Sequence, residues 1–594
     1  MMRDLSFKTA VRSTAPLMFE IIKKCPFLWI GFVAHTFFSG VLPAASIPVN
    51  QVLYDALTDM VINNGPISRV LIGIGLMLAL IVLGQILAMT NKYITWRKDN
   101  IIQPEYSRII NQKISQLSAQ IFEDKDTLDD IEKATSGIYA VSFMYHAFVD
   151  ILFRYGSFFV ISGLFLWRIQ PSLVLSLLFV FVPVLLSQLV RVRIYADQQD
   201  YIVPLQRKEF RFYKHACNTR EVRLYGVFVH FHQMMLQARL LLFSKQRETQ
   251  TKISMIEFGL NLIQVLGMIG IIVLLIRGVM SGEVSIGAFV AVFNAINAMF
   301  NYMSGLFSSV KSAAIDRMGE IHHFIRFMNL PEVVASAAMP DWNRGGVVAS
   351  KLTFSYPKSQ KPSINSVTLT IRKGETIAIV GENGSGKTTL VKLLCGLYKP
   401  DSGTVMICGQ DTTLTKDESL FTKTSAVFQN YIQYNQLSLA ENVLISDYQS
   451  KEDVLSSLVF ADVDYNDTKT FPNKTETMLS REFGGVQISG GQWQRVSIAR
   501  GLYRKHEFII LDEPTATIDP IEETRVYRQF ANLAKDKTAI LVTHRLGSAR
   551  IADRIVVMDK GAIVEIGRHE DLLVSGGKYG SMWKAQAQYY NNSI

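Results

Sequence analysis

The string GENGSGKTT, Gly381 to Thr389, joins three glycines to a lysine and two hydroxyls in the G-x-x-x-x-G-K-T spacing. Glycines at Gly381, Gly384 and Gly386 let backbone N–H groups approach phosphate oxygens with no side chain in the way, and the helix that follows adds its N-terminal dipole. Glu382, Asn383 and Ser385 complete the loop. Lys387 is expected to reach the terminal phosphates of a nucleoside triphosphate, Thr388 to hold magnesium through its hydroxyl, and Thr389 to bond a more proximal phosphate. The apolar run Thr376 to Val380 supplies the strand that must precede such a loop. A second apolar run, Phe508 to Leu511 in FIILDEP, reads as a buried parallel strand whose carboxyl end delivers Asp512 to the magnesium and Glu513 to the attacking water as a proton acceptor.

Between these strings lies ISGGQ, Ile488 to Gln492. A phosphate loop followed by SGGQ and then an acidic strand resembles the ATP-binding cassettes, and from about Val347 onward the chain is similar to them throughout. Other positions match that family in its usual order. Tyr356 in KLTFSYP resembles the aromatic that stacks on adenine, although its spacing also suits a core strand. Gln429 in AVFQN resembles the glutamine that touches magnesium and the water. Asp519 in TATIDP resembles the residue linking composite sites, and His544 in LVTHR the histidine at the terminal phosphate. The resemblance implies a head-to-tail dimer in which Ser489, Gly490, Gly491 and Gln492 of one copy close over ATP and Mg2+ held by the other. No catalytic position is degenerate, which points to a homodimer. Ile488, where leucine is commoner, is a volume-conserving change; REFGGVQ, Arg481 to Gln487, also departs from the usual multidrug-exporter lead-in.

The elements that must carry this cassette lie upstream. At 594 residues the chain exceeds one domain, and its excess apolar content is concentrated in the first half. Runs long enough to cross a bilayer occur at Phe27–Ile47, Val70–Met89, Val141–Leu166, Ser172–Val190, Ile256–Ile276 and Ile286–Val310, about six in all. The first lacks a small-residue cleavage site and is expected to be retained. Lysines and arginines crowd the N-terminal segment and the connections after the second and fourth spans, which places these segments and both termini in the cytoplasm of a plasma-membrane protein. The net charge of +10 is therefore a topology signal, and no nucleic acid is expected as a partner. Cys25, Cys217, Cys395 and Cys408 have neither CxxC spacing nor nearby histidines, so reduced thiols are expected.

The resulting fold class is an α-helical polytopic membrane domain of the ABC exporter type plus an α/β P-loop ATP-binding cassette, the whole chain resembling an exporter half-transporter. The boundaries read as 1–325 for the membrane domain, 326–346 for a linker and 347–594 for the cassette. Helical periodicity in the long inner connections predicts that the spanning helices continue into the cytoplasm. At their tips, Phe122–Ala134 and Thr219–Gly226 are candidate short helices that dock on the ATPase, the alternative being a solvated charged face.

FGGVQISGGQWQR, AVFQNYIQYNQLSLAENV and REVRLYG resemble the nisin-type lantibiotic exporters, as do LPAASIPVNQVLYDAL and WRIQPSLVLSLLFVFVPVL in the membrane half. That resemblance implies outward transport of a modified peptide, with peptide-modification enzymes as further partners. Multidrug or lipid export is the alternative, and an ATP-gated channel or regulator is a reading of another class, against which the intact Glu513 and His544 argue. No cysteine protease domain precedes the first span, so leader removal is expected to belong to another protein. Within the spans, His146, Asp150 and Arg154 recur every fourth residue on one helical face, and Asn294, Asn297 and Asn301 share another. These six are candidate cargo-path residues, with bundle-holding hydrogen bonds as the alternative.

Overall fold

The computed structural model describes residues 7–216, 219–333, 339–342, 345–450, 452–513, 527, 530–531 and 534–591. The chain forms two compact units, one of residues 1–115 with 129–330 and one of residues 116–128 with 331–594.

The first unit is helical. Among the described residues five helices are long and apolar enough to cross a membrane: Pro26–Asn63, Ile67–Ser115, Thr127–Ile169, Phe228–Met280 and Ile286–Lys311. The expected span Ser172–Val190 falls in the helix Pro171–Ala216, many of whose side chains lie outside the described residues. The helix Ile67–Ser115 has 49 residues, about 74 Å of rise against about 30 Å of hydrocarbon, so it extends beyond a bilayer. Leu71, Ile72, Leu76, Leu78, Ile81 and Val82 on it are exposed, an arrangement that water would penalise and lipid tails satisfy. Helix Pro26–Asn63 runs through Pro43 and Pro48. Small residues bring its neighbours close: Gly40 faces the Arg154 carbonyl and Ser157, and the Gly287 amide donates to Asp55 Oδ1 at 2.9 Å. One local departure breaks the four-residue repeat. Asp150–Tyr155 forms a π-helical turn between the α-helical segments Lys125–Val149 and Gly156–Ile169.

The cassette unit holds two sheets. Strands β1 (Val347–Phe354), β2 (Ile364–Ile371), β3 (Thr376–Gly381), β4 (Ser402–Ile407) and β5 (Gln410–Asp411) are followed by β6 (Thr424–Val427), β7 (Phe508–Asp512), β8 (Thr538–Val542), β9 (Arg554–Asp559) and β10 (Ala562–Gly567). The smaller sheet runs β2-β1-β4-β5 and is antiparallel; the larger runs β10-β9-β3-β8-β7-β6. Within the latter, β9, β3, β8, β7 and β6 are parallel and β10 closes one edge antiparallel. Every residue of β7 and β8 is buried, which is why their sequences are nearly unbroken apolar runs rather than alternating ones. Parallel pairing puts the carboxyl ends of β3, β8, β7 and β6 on one border, Val542 standing opposite both Ile379 and Asp512.

The acidic tip differs from the sequence expectation. The short helix is Ala119–Glu123, a 3-10 turn capped by Ser118. Asp124 then caps the next helix, its Oδ2 accepting from the Thr127 amide at 3.2 Å. Residues 116–128 pack with the cassette: Glu123 accepts from Lys392 Nζ at 3.3 Å and from the Tyr398 hydroxyl, and Asp124 pairs with Lys358 at 2.9 Å. The other expected docking segment contains the helix Thr219–Leu224, which belongs to the helical unit. Cys25, Cys395 and Cys408 are free thiols, and burial pushes Cys395 and Cys408 up to about 11. Cys217 lies outside the described residues.

Gly386 precedes the phosphate-loop helix at φ +98, and a Cβ there would sit 2.7 Å from the Ser363 carbonyl oxygen. Gly386→Ala in the full chain is expected to cost about 1–3 kcal/mol of cassette stability and to abolish ATP binding. Thermal unfolding with and without ATP checks this against Gly319→Ala, whose Cβ would meet nothing within 4 Å; equal midpoints and equal ATP protection would contradict it.

Candidate nucleotide site

All four of the loops at the shared border, together with the C-terminal helix, line a cavity of about 1260 Å3. From the loop after β3 come Gly381, Glu382, Asn383, Gly384, Gly386, Lys387, Thr388 and Thr389. Left-handed backbone at Gly384 (φ +80) and Gly386 (φ +98) turns the chain into the helix Lys387–Leu394. Lys387 Nζ donates to the carbonyls of Gly381 at 3.1 Å and Glu382 at 3.2 Å, and is 4.0 Å from Glu513 Oε1. The Thr388 hydroxyl donates to Asp512 Oδ1 at 3.3 Å.

Asp512 and Glu513 are adjacent carboxylates in opposite environments. Asp512 is fully buried, and that burial lifts its carboxyl to about 6. Its Oδ2, like Ser385 Oγ, is buried with no hydrogen-bond partner among the described residues. An unmatched carboxylate oxygen beside a threonine hydroxyl is a donor set suited to a hard cation such as Mg2+. Glu513 is held below the usual carboxylate range, chiefly by His544 and against the opposing effect of burial. Its Oε2 accepts from Gln429 Nε2 at 2.9 Å and lies 3.6 Å from His544 Nδ1. Glu513 also sits in the left-handed region at φ +47, a conformation that costs a non-glycine residue about 1 kcal/mol or more. Its amide donates to the Val542 carbonyl at 3.1 Å, so pairing with β8 holds the strained residue in place.

His544 follows β8, and its imidazole is about half exposed. The backbone around it is clasped by a residue that the sequence reading missed. Gln586, on the C-terminal helix Lys578–Asn591, donates from Nε2 to the His544 carbonyl at 2.5 Å and accepts the Leu546 amide on Oε1 at 3.0 Å. Met582, one turn earlier, lines the same cavity. Lys578 at the start of that helix pairs with Glu382 at 3.3 Å and Asp559 at 2.8 Å. The available signal was the four-residue spacing of Met582 and Gln586 in a segment with no motif of its own.

Tyr356 lines the cavity too, with its hydroxyl 3.1 Å from Thr389 Oγ1 and its ring edge-on to Phe354. It is thus part of the cavity wall and packed on the core at once. Ser489, Gly490, Gly491 and Gln492 do not line the cavity. They start the helix Gly490–Tyr503 through a capping box, in which Ser489 Oγ accepts from the Gln492 amide and Gln492 Oε1 from the Ser489 amide. Ser489 and Gly490 are exposed. Asp519 lies outside the described residues.

Of the candidate cargo-path residues, His146, Asp150 and Arg154 line a second cavity of about 550 Å3 inside the helical unit. The π-helical turn lies between Asp150 and Tyr155, so the expected i, i+4 face is not a plain α-helical one. Asn294, Asn297 and Asn301 are exposed and do not line this cavity.

Residues 364–516 match the family model described as ABC transporter. Subtilin transport ATP-binding protein SpaT of Bacillus subtilis is 27% identical over 591 residues, covering 96% of this chain and 92% of that protein. Nisin transport ATP-binding protein NisT of Lactococcus lactis is 27% identical over 605 residues, covering 98% and 96%. An ATP-dependent lipid A-core flippase of Methylobacillus flagellatus is 31% identical over 345 residues, 58% of each chain. The solved structure of a bacterial Atm1-family ABC exporter with ATP bound superposes with a TM-score of 0.76 at 20% identity, covering 94% of this chain and 99% of that one. With its phosphate loop, acidic strand and His544 gathered on one border, and a helical unit apolar enough for lipid, the chain has the fold of an ABC exporter and resembles the half-transporters of that family, and its cassette is an ATPase coupled to transport.

Proposed function

We propose that two copies of this chain form a plasma-membrane exporter, both termini cytoplasmic, that moves a modified, lantibiotic-like peptide outward at the expense of ATP. The observation that carries the cargo class is coverage. The subtilin and nisin transport proteins align with 96% and 98% of the chain, membrane unit included, whereas the flippase aligns with 58%. Lipid or drug export is the second reading, favoured by the higher identity of that shorter match.

In this reading Lys387 and the loop amides after Gly381 bind the phosphates, and Tyr356 packs against the adenine. Thr388, Asp512 and Gln429 would hold Mg2+. Bound there, the ion would neutralise charge on the phosphate oxygens. Glu513, oriented by Gln429 and His544, accepts a proton from the attacking water. Its lowered pKa keeps it ionised at neutral pH, and the backbone strain fixes its direction. Gln586 positions His544 through the main chain. The exposed helix N-terminus at Ser489 to Gly491 offers N–H donors that no phosphate in its own chain's cavity meets; a second copy arranged head to tail would bring them to the terminal phosphate. Domain boundaries near residues 325 and 347, and peptide-modification enzymes as partners, belong to the same reading.

The cargo assignment is tested by ATP turnover in proteoliposomes. A lanthionine-bearing precursor peptide is expected to raise turnover, and Glu513→Gln to bind ATP while losing about 100-fold or more of that turnover. Stimulation by lipids or hydrophobic drugs but by no peptide would contradict the peptide cargo; unchanged hydrolysis in Glu513→Gln would assign the base elsewhere. Asp512 provides a check on the cation site. Its folded pKa of about 6 exceeds the unfolded value near 3.8, so the ionised form penalises the fold fully above about pH 6 and not at all below about pH 4. Asp512→Asn should therefore stabilise the nucleotide-free chain by on the order of 2–3 kcal/mol at pH 8, the gain fading as pH falls through that window, while turnover is lost. An unchanged pH–stability profile would refute the burial argument. Gln586→Ala should lower kcat about fivefold, the worth of about one hydrogen bond, with the KM for ATP within about twofold. An unaltered kcat would remove Gln586 from the machinery.

A further inference from the structure

The cavity inside the helical unit is built around fixed positive charge. Lys98, from the helix Ile67–Ser115, is 3% exposed, donates to His146 Nε2 and lies 4.6 Å from the centroid of the Phe32 ring. Because His146 Nε2 accepts from an ammonium, that imidazole is neutral and adds no charge. Arg154 stands over the rings of Tyr155 and Tyr302 at 5.7 Å and 5.9 Å. Its buried Nε has no hydrogen-bond partner among the described residues. Asp150 is the single carboxylate among the described residues lining the cavity. Among the lining side chains two cations thus face one anion, in a space of about 550 Å3 whose remaining wall mixes apolar residues such as Leu42 and Phe143 with the polar Thr36, Ser39, Asn91 and Thr95. Excess positive charge withdrawn from water is costly until a negative group joins it.

We propose that this cavity is a subsite for a carboxylate carried on an apolar stretch of the peptide cargo, recognised by Arg154 and Lys98. Asp150 acts as the partial counter-charge that limits its affinity. The inference rests on the peptide reading given above and deepens it: the exporter distinguishes an acidic apolar segment from its neutral twin. Phe32 and Tyr302 provide the flat surfaces against which apolar neighbours of the carboxylate pack.

The test uses the full chain in phosphatidylcholine nanodiscs and two end-blocked peptides of Leu and Phe that differ only in one central Asp or Asn. The Asp peptide is expected to bind about tenfold or more tightly than its Asn twin, and Arg154→Gln or Lys98→Met to bring that ratio to about one with the Asn peptide's affinity held. Asp150→Asn should raise the ratio, a change of opposite sign that misfolding cannot imitate. Equal binding of the twins to the unaltered chain would overturn the anion preference and leave the peptide reading standing. Binding of neither would overturn both. A ratio that survives both cation substitutions would place recognition elsewhere, and one that collapses on adding phosphatidylglycerol would give the site to lipid phosphate; either result defeats the proposal.

Discussion

Parallel pairing of β3, β8, β7 and β6 is the constraint on which the nucleotide site depends. A parallel sheet needs covered faces and long crossovers, so its strands come from distant parts of the chain while their carboxyl ends share one border. Gly381, Gln429, Glu513 and His544 are separated by up to 163 positions, yet all four line one cavity. The ladder does more than gather them. Val542 bonds the amide of Glu513 and so holds a left-handed glutamate where Gln429, His544 and Lys387 converge on its carboxylate. Loss of that pairing would release the strain and the direction together.

The same border explains the contrast between two neighbouring acids. Asp512 ends a buried strand and keeps one oxygen unmatched among the described residues; the burial raises its pKa. Glu513, one residue on, leaves the strand and meets a histidine, which lowers it. Environments that push adjacent carboxylates apart suit them to different work: in the proposed reading one holds a cation and the other stays ionised to take a proton.

Much of this was legible in the sequence because the constraints are local. A phosphate loop needs its glycines at fixed spacing, a buried parallel strand needs an apolar run, and lipid-facing helices need long apolar stretches. What stayed hidden depends on contacts between distant residues or on backbone torsion. The Gln586 clasp needs a helix some 40 residues beyond His544 to fold back, and Lys98 joins His146 from another helix altogether. The left-handed Glu513 and the π-helical turn at Asp150 have no composition signature. The docking tip begins a few residues earlier than FEDKDTLDDIEKA suggests, because that string reads as one acidic helix, whereas Asp124 ends one element and caps the next.

The signature helix marks the limit of a single chain. Its N-terminal donors are exposed and absent from the cavity that holds the phosphate loop, so the account's central claim is that a second copy completes each site. Co-expression of Lys387→Ala and Ser489→Arg chains tests this most directly, by counting nucleotide occluded per dimer. Neither parent homodimer retains an intact site. Mixed dimers, which pair one good loop with the other chain's good signature, are expected to occlude about one nucleotide each. No occlusion in mixed dimers that are shown to form would contradict it.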